Sequence, residues 1–291
     1  MMSMYSEKDW DRLKNFGYLE DLTYEAYFRG GEQHVEELVG ADYILPYSVE
    51  EILEAGIASL SNKLIKLKTP HEVQQEIKQA MGNNKGYSLI RIGDGELLTL
   101  GHDILFSAEE IESIPRLNFL SYAGVNLPDH SIRDLLARNM MEADMVGIPF
   151  LRRPTFQQLF NKLAKVHKWP MKSMNLTRSV INYELHLQTT LFQDLLNNKR
   201  VLLIGNRMME GETVLRNAGF NNIAGSIPVE NINSVPHVLS EAQKYDFDVA
   251  LVSAGIPANL ICVELAKRNK IAIDFGHLID ELINNTKVIV K

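Results

Sequence analysis

An α/β fold, with a mostly parallel sheet flanked by helices and an N-terminal helical extension, is what the sequence predicts. Three observations lead there. From Val201 onward, short apolar or β-branched runs alternate with helical patterns, and parallel strands need such crossovers because they are buried on both faces. Two helix-start signatures precede the first strand candidate. Hydrophobic residues make up 45% and charged residues 23% of the 291 residues, which excludes a disordered chain and leaves enough apolar material for a full core.

The elements follow in order. Tyr18 to Tyr47 has no strong period and reads as an irregular, partly helical extension. Ser48 with Glu51, and Thr69 with Glu72 behind Pro70, each place a hydroxyl and a carboxylate where they satisfy orphan amides, so helices are expected to start there. The first carries Ile52, Leu53, Ile57, Leu60, Leu64 and Ile65 at helical spacing; the second runs to about Met81, before Gly82-Asn83-Asn84. Tyr87 to Ile92 and Asp144 to Pro149 are strand candidates, with a helix from Ser131 to Glu142 between them and a helical stretch from Ser179 to Leu196 after them. Then come strands at Val201–Ile204, Asn222–Ile227, Val249–Val252 and Ile271–Ile273, separated by helices over Glu210–Asn217, Val235–Lys244 and Asn259–Asn269. Residues 1–84 are therefore expected to form the helical extension and residues 85–291 the sheet domain.

Composition narrows the function. A net charge of -7 supplies no positive field for a nucleic-acid backbone. The single Cys262 excludes an intramolecular disulfide, and its apolar neighbours mark a buried helical position. Met1 to Lys14 is rich in charge with no apolar run behind it, unlike a secretory signal. Val249 to Val263 is interrupted by Gly255, Pro257 and Asn259, and is shorter than the ~20 residues that span a bilayer. A cytoplasmic enzyme without a membrane span is the expectation.

In an open parallel sheet, ligands gather outside the carboxyl ends of the strands, where helix N-termini offer amides to anions. Five turns matter there: Gly93-Asp94-Gly95-Glu96, Gly205-Asn206-Arg207, Ser226-Ile227-Pro228, Ser253-Ala254-Gly255 and Asp274-Phe275-Gly276-His277. Their Gly, Ser and Asn residues allow close backbone approach to ribose or phosphate, or serve tight turns alone. Gly205 followed by Gly211 does not match the dinucleotide fingerprint, and no P-loop is present.

Asp94 and Glu96, two positions apart at a strand end, are expected to project to one side and hold Mg²⁺ or Mn²⁺ on a diphosphate. The same spacing also suits a plain acidic turn. Arg91, if buried, needs a phosphate or one of these carboxylates as partner. His277, at a helix start, suits metal, phosphate or proton transfer as well as capping.

Arg91-Ile92-Gly93-Asp94-Gly95-Glu96 resembles the Arg-hydrophobic-Gly-Asp-Gly-Glu signature of the bacterial glycosyltransferases with the GT-D fold. Val146 to Pro149, Leu251 to Arg268 and Ala272 to Asp280 resemble the same family in the same order. The chain departs from the pattern at Ser253-Ala254-Gly255-Ile256-Pro257, where the family has Gly-Pro-Thr-like residues, and at Leu278-Ile279-Asp280 after Gly-His.

The resemblance implies a Rossmann-like domain and a hexosyltransferase-type enzyme that moves sugar from a uridine-diphosphate donor to a glycan or glycoprotein. Asp94 and Glu96 would then be metal-binding and, with His277, catalytic. Arg91, Gly93, Gly95, Gly205, Asn206, Arg207, Ser253, Gly255 and Gly276 would contact the nucleotide. The general base is left among Asp94, Glu96, Asp274, Asp280 and Glu184. Two rivals stand beside this expectation: a non-catalytic nucleotide-sugar-binding module, and an S-adenosylmethionine-dependent methyltransferase built on the apolar strand ending in Gly205. The N-terminal helices would serve an acceptor, a partner or self-association into a homo-oligomer.

Overall fold

The computed structural model describes residues 28–113, 119–151 and 156–289. Two compact units divide the chain, the first ending at Leu64 and the second starting at Ile65. Within the first, a π-helical turn (Phe28–Glu32) leads into α1 (Gln33–Val39), and α2 (Val49–Ser59) starts at the predicted Ser48–Glu51 capping box. The helix expected to reach Ile65 stops at Ser59 and gives way to a 3₁₀ turn, Ser61–Lys63. The expectations for Met1 to Lys14, and for Tyr18 to residue 27, lie outside the described residues.

The second unit begins with α3 (Pro70–Gly82), capped by Thr69 and Glu72 as its sequence predicts. Val73, Ile77 and Ala80 of α3 are buried in the core under the sheet. This moves the expected 84/85 boundary forward: the apolar stripe of α3 has its partner in the sheet, so the helix belongs to the sheet domain.

Among the described residues the sheet has seven strands, all parallel: β1 (Tyr87–Arg91), β2 (Met145–Ile148), β3 (Leu176–Arg178), β4 (Val201–Gly205), β5 (Ile223–Ile227), β6 (Val249–Ser253) and β7 (Ile271–Asp274). Their spatial order is β3-β2-β1-β7-β6-β4-β5. The strands alternate between two cores. Ile90, Val146, Leu202, Ile204, Ala250 and Val252 face one; Leu89, Met145, Val201, Leu203, Leu251 and Ile273 face the other. Burying each such side chain contributes roughly 1.5–3 kcal/mol, and both faces must be covered for the sheet to collect it.

The first core is covered by α4 (Asp94–Gly101), α7 (His130–Glu142), α8 (Phe156–Val166), α12 (Val235–Ala242) and α13 (Ile256–Ala266); α5 (Ala108–Glu112) and α6 (Phe119–Tyr122) lie in the connection after α4. The second is covered by α3, α9 (Ile181–Gln188), α10 (Leu191–Asn198), α11 (Met208–Asn217) and α14 (Leu278–Ile283). Cys262 lies in α13, fully buried, and burial raises its thiol pKa.

Three local differences from expectation have physical reasons. The stretch Ser179–Leu196 splits into α9 and α10 because Thr189 is extended: its hydroxyl donates to Leu185 O and accepts from the Leu191 N–H, ending one helix and starting the next. Helix α13 starts at Ile256, earlier than Asn259, because Pro257 fits the first turn of a helix, where no amide bond is lost. Strand β3 has only three residues, too few to show a period.

The path β4–α11–β5 turns outward on one face, whereas β6–α13–β7 turns inward on the other. A crevice therefore opens between the carboxyl ends of β4 and β6, the topological switch point of the sheet.

Candidate functional site

A cleft of about 680 Å³ opens over these strand ends, within the ~300–1,000 Å³ typical of small-molecule sites. Most of the predicted turns meet there: Gly93 through Glu96, Asn206 and Arg207, Ser253 through Gly255, and Asp274 with Gly276 and His277. Gly205 lies behind the lining, and Ser226–Pro228 is replaced by Val229, Glu230 and Asn231. Ser179, Val180 and Ala123 complete the wall. None of these additions carries a motif; they follow from a three-residue strand and from loops whose position depends on tertiary contacts.

Arg91 forms the floor, and its partners are not those expected. Its guanidinium pairs with Asp274 at 2.8 Å and also donates to Asp274 O, Ser179 O and Asn182 Oδ1. Asn182 in turn donates to Phe275 O at 2.9 Å. The charge thus ties β1, β7 and the start of α9 together, which holds the floor rigid and leaves the guanidinium already engaged. Gly276 makes this possible: its φ is +53°, and a Cβ there would sit 1.8 Å from Arg91 Nη2.

Asp94 and Glu96 do not project together from an extended strand. The strand ends at Arg91 and Asp94 already opens α4, so positions two apart point to different sides of a helix. Asp94 is exposed on the cleft, one oxygen accepting from the Gly95 N–H at 2.9 Å. Glu96 is buried and folds back to accept the Gly93 N–H at 2.9 Å. Burial, with the neighbouring Asp274 charge adding to it, pushes the Glu96 carboxyl up to about 7.

That shift has a sign. The fold retains a proton that the unfolded chain releases above the ordinary value of 4.5, so the stabilisation is full below 4.5 and is lost as pH rises through about 7. In chelator, the unfolding free energy of the protein relative to its Glu96→Gln variant should fall by on the order of 3 kcal/mol across that interval. Urea unfolding at a series of pH values measures it, and a flat difference would mean that Glu96 is ionised in the fold.

The opposite rim is a chain of charge. Arg207 donates to Asp280 at 2.7 Å and pairs with Glu210 at 2.9 Å, while Asp280 holds His277 Nδ1 at 2.9 Å. The His277 side chain stays 89% exposed at the start of α14. Both α11 and α13 begin without a side-chain cap. This leaves the first turn of α11 with amides lacking a side-chain partner, whereas in α13 Pro257 has no N–H and the Ala258 N–H donates to Gly255 O at 2.9 Å, so that only the Ile256 amide is left. Ser253 donates its hydroxyl to Gly276 O at 2.6 Å, binding the β6 and β7 tips. Glu184 pairs with Arg178 and does not line the cleft, which removes it from the candidate bases.

No group of three or more His, Cys, Asp or Glu side chains suited to a metal converges among the described residues. Mg²⁺ and Mn²⁺ at diphosphate sites need only one or two carboxylates, since phosphate oxygens and water complete the sphere. Asp94 meets that requirement; Glu96, turned onto Gly93, does not present itself to it.

An all-parallel, doubly wound sheet with helix starts and charged side chains gathered at its switch point defines an α/β protein of the Rossmann-like class. Within that class the chain belongs to the GT-D-like family, whose GT-D fold-like domain matches residues 68–282. A selenomethionine-substituted structure of domain of unknown function 1792 is similar at TM-score 0.50 and 17% identity, covering 78% of this chain and 84% of that one. A structure described as a new glycosyltransferase of the same domain from Streptococcus sanguinis is similar at TM-score 0.48 and 15% identity, covering 75% and 83%. None of the curated proteins matches the chain. Among the described residues, no helix is long and apolar enough to cross a membrane.

Proposed function

We propose that this protein is a metal-assisted glycosyltransferase that takes a hexose from a nucleotide-diphosphate donor, a uridine-diphosphate sugar foremost, and transfers it to a hydroxyl of a glycan or glycoconjugate. The observation that carries the reading is the meeting, in one cleft, of the uncapped α11 and α13 starts with exposed Asp94 and exposed His277. Membership of the GT-D-like family supports it.

Asp94 would hold the divalent cation, which when bound offsets charge on the departing diphosphate. The first-turn amides of α11, with the Ile256 amide of α13, hold phosphate oxygens. Arg91 positions the floor through Asp274 and contributes its field rather than a direct contact. Asp280, accepting from Nδ1–H of His277, fixes the tautomer so that Nε2 takes the proton of the acceptor hydroxyl. The acceptor oxygen bonds to the anomeric carbon as the anomeric carbon–phosphate oxygen bond breaks, its electron pair leaving with the nucleoside diphosphate.

Thermal-shift titration with uridine diphosphate and Mn²⁺ tests this. Ligand at a hundredfold excess over Kd should stabilise the protein by roughly 2.7 kcal/mol, and Asp94→Ala should lose most of that protection while melting normally without ligand. An undiminished response in the variant would remove Asp94 from the site. Donor binding without hydrolysis or transfer across an acceptor panel would favour the non-catalytic module, and protection by S-adenosylmethionine the methyltransferase.

A further inference from the structure

Glu230 stands just past the end of β5 and lines the wall of the same cleft. The other acids of the cleft have partners: Asp94 on the Gly95 N–H, Glu96 on the Gly93 N–H, Asp274 on Arg91, and Asp280 on Arg207 and His277. Glu230, exposed, engages no hydrogen bond or ion pair among the described residues.

Its position is nonetheless held. β5 pairs with β4 through Ile227 and Ile204, and the Val229 N–H donates to Asn206 Oδ1 at 3.1 Å, fixing the backbone beside Glu230 to the β4–α11 turn. On the other side, the Ile232 N–H donates to Ala123 O at 2.9 Å. A carboxylate with no internal partner therefore sits on a loop anchored at both ends.

In a β–α–β nucleotide-binding half, phosphate lies at the start of the helix and the ribose reaches the tip of the next strand, where an acid accepts its hydroxyls. The β4–α11–β5 unit repeats that order, with an uncapped α11 and Glu230 just past the end of β5 on the cleft wall. We infer that Glu230 is the ribose-reading residue of this cleft, accepting hydrogen bonds from the 2′,3′-diol and so selecting ribonucleoside over 2′-deoxyribonucleoside diphosphates. An ionised carboxylate only accepts, which matches a pair of hydroxyl donors. The assignment rests on the nucleotide-donor reading above.

The test is calorimetric titration, in Mn²⁺, of uridine, cytidine, adenosine and guanosine diphosphates, each beside its 2′-deoxy counterpart, into the full chain and its Glu230→Ala variant. The best-bound ribonucleotide should bind the unmodified protein roughly tenfold tighter than its deoxy form, as loss of a charge-assisted hydrogen bond implies. In Glu230→Ala that ratio should fall to near one, the ribonucleotide losing both hydroxyl contacts and the deoxynucleotide only that of its 3′-hydroxyl. A ratio that survives in the variant, or is absent from the unmodified protein, overturns the inference and leaves the donor reading intact. If no nucleotide binds the unmodified protein, both fall together.

Discussion

Arg91→Ala should destabilise the protein by roughly 3–5 kcal/mol, the effect of stripping one partner from a buried ion pair. The Arg91 side chain is 18% exposed and that of Asp274 9%, and the pair is 2.8 Å apart. Removing the guanidinium leaves the Asp274 carboxylate without its cation, and Ser179 O and Asn182 Oδ1 without a donor. These acceptors belong to β7, the start of α9 and the loop before it, so the loss falls on the cleft floor as well as on global stability. Chemical denaturation measures the first effect and nucleotide titration the second. Arg91→Lys should recover only part of either, since an ammonium cannot span four acceptors in the plane that a guanidinium fork does. A loss under about 1 kcal/mol in Arg91→Ala would show that the Asp274 carboxylate is solvated through the cleft.

Gly205→Ala should be comparably damaging for a different reason. Gly205 has φ +148°, a conformation other residues rarely adopt, and an added Cβ would lie 2.1 Å from Ser253 O. That oxygen belongs to the backbone of β6, so no side-chain rotation relieves the overlap. Strain at such a position costs about 1–3 kcal/mol and overpacking a further 1–3 kcal/mol, giving roughly 2–6 kcal/mol in all. Equilibrium unfolding should show it. Nucleotide binding should fall as well, because the overlap pushes apart the two strand tips between which the crevice opens. A variant as stable as the parent would mean that β4 and β6 separate there at little cost.

Much of the fold was legible because local signals and tertiary demand coincide. Ser48–Glu51 and Thr69–Glu72 satisfy amides within one turn, so their capping boxes formed irrespective of packing. The apolar runs of β4, β6 and β7 can be stable only when covered on both faces, which their flanking helical patterns supply. What stayed hidden lacked a local signature. Strand β3 is too short to carry a period, and α4 opens on Gly93-Asp94-Gly95, residues that read as a turn. The site was legible to the same degree: the strand-end rule located the turns, while the partners of each side chain depended on neighbours far along the chain.

Residue order by itself determined that a parallel sheet forms, that its carboxyl edge carries Asp94, Glu96, Arg207 and His277, and that α3 starts at Thr69, because periodicity and capping act over a few residues. Only the tertiary structure decided that Glu96 turns inward while Asp94 faces the cleft, that Arg91 is claimed by Asp274, and that Glu230 is left without a partner. Those outcomes are competitions among charged groups for burial and hydrogen bonds. They are won by whichever groups the strand order β1-β7-β6-β4 brings within about 3 Å of one another, a distance that sequence separation does not encode.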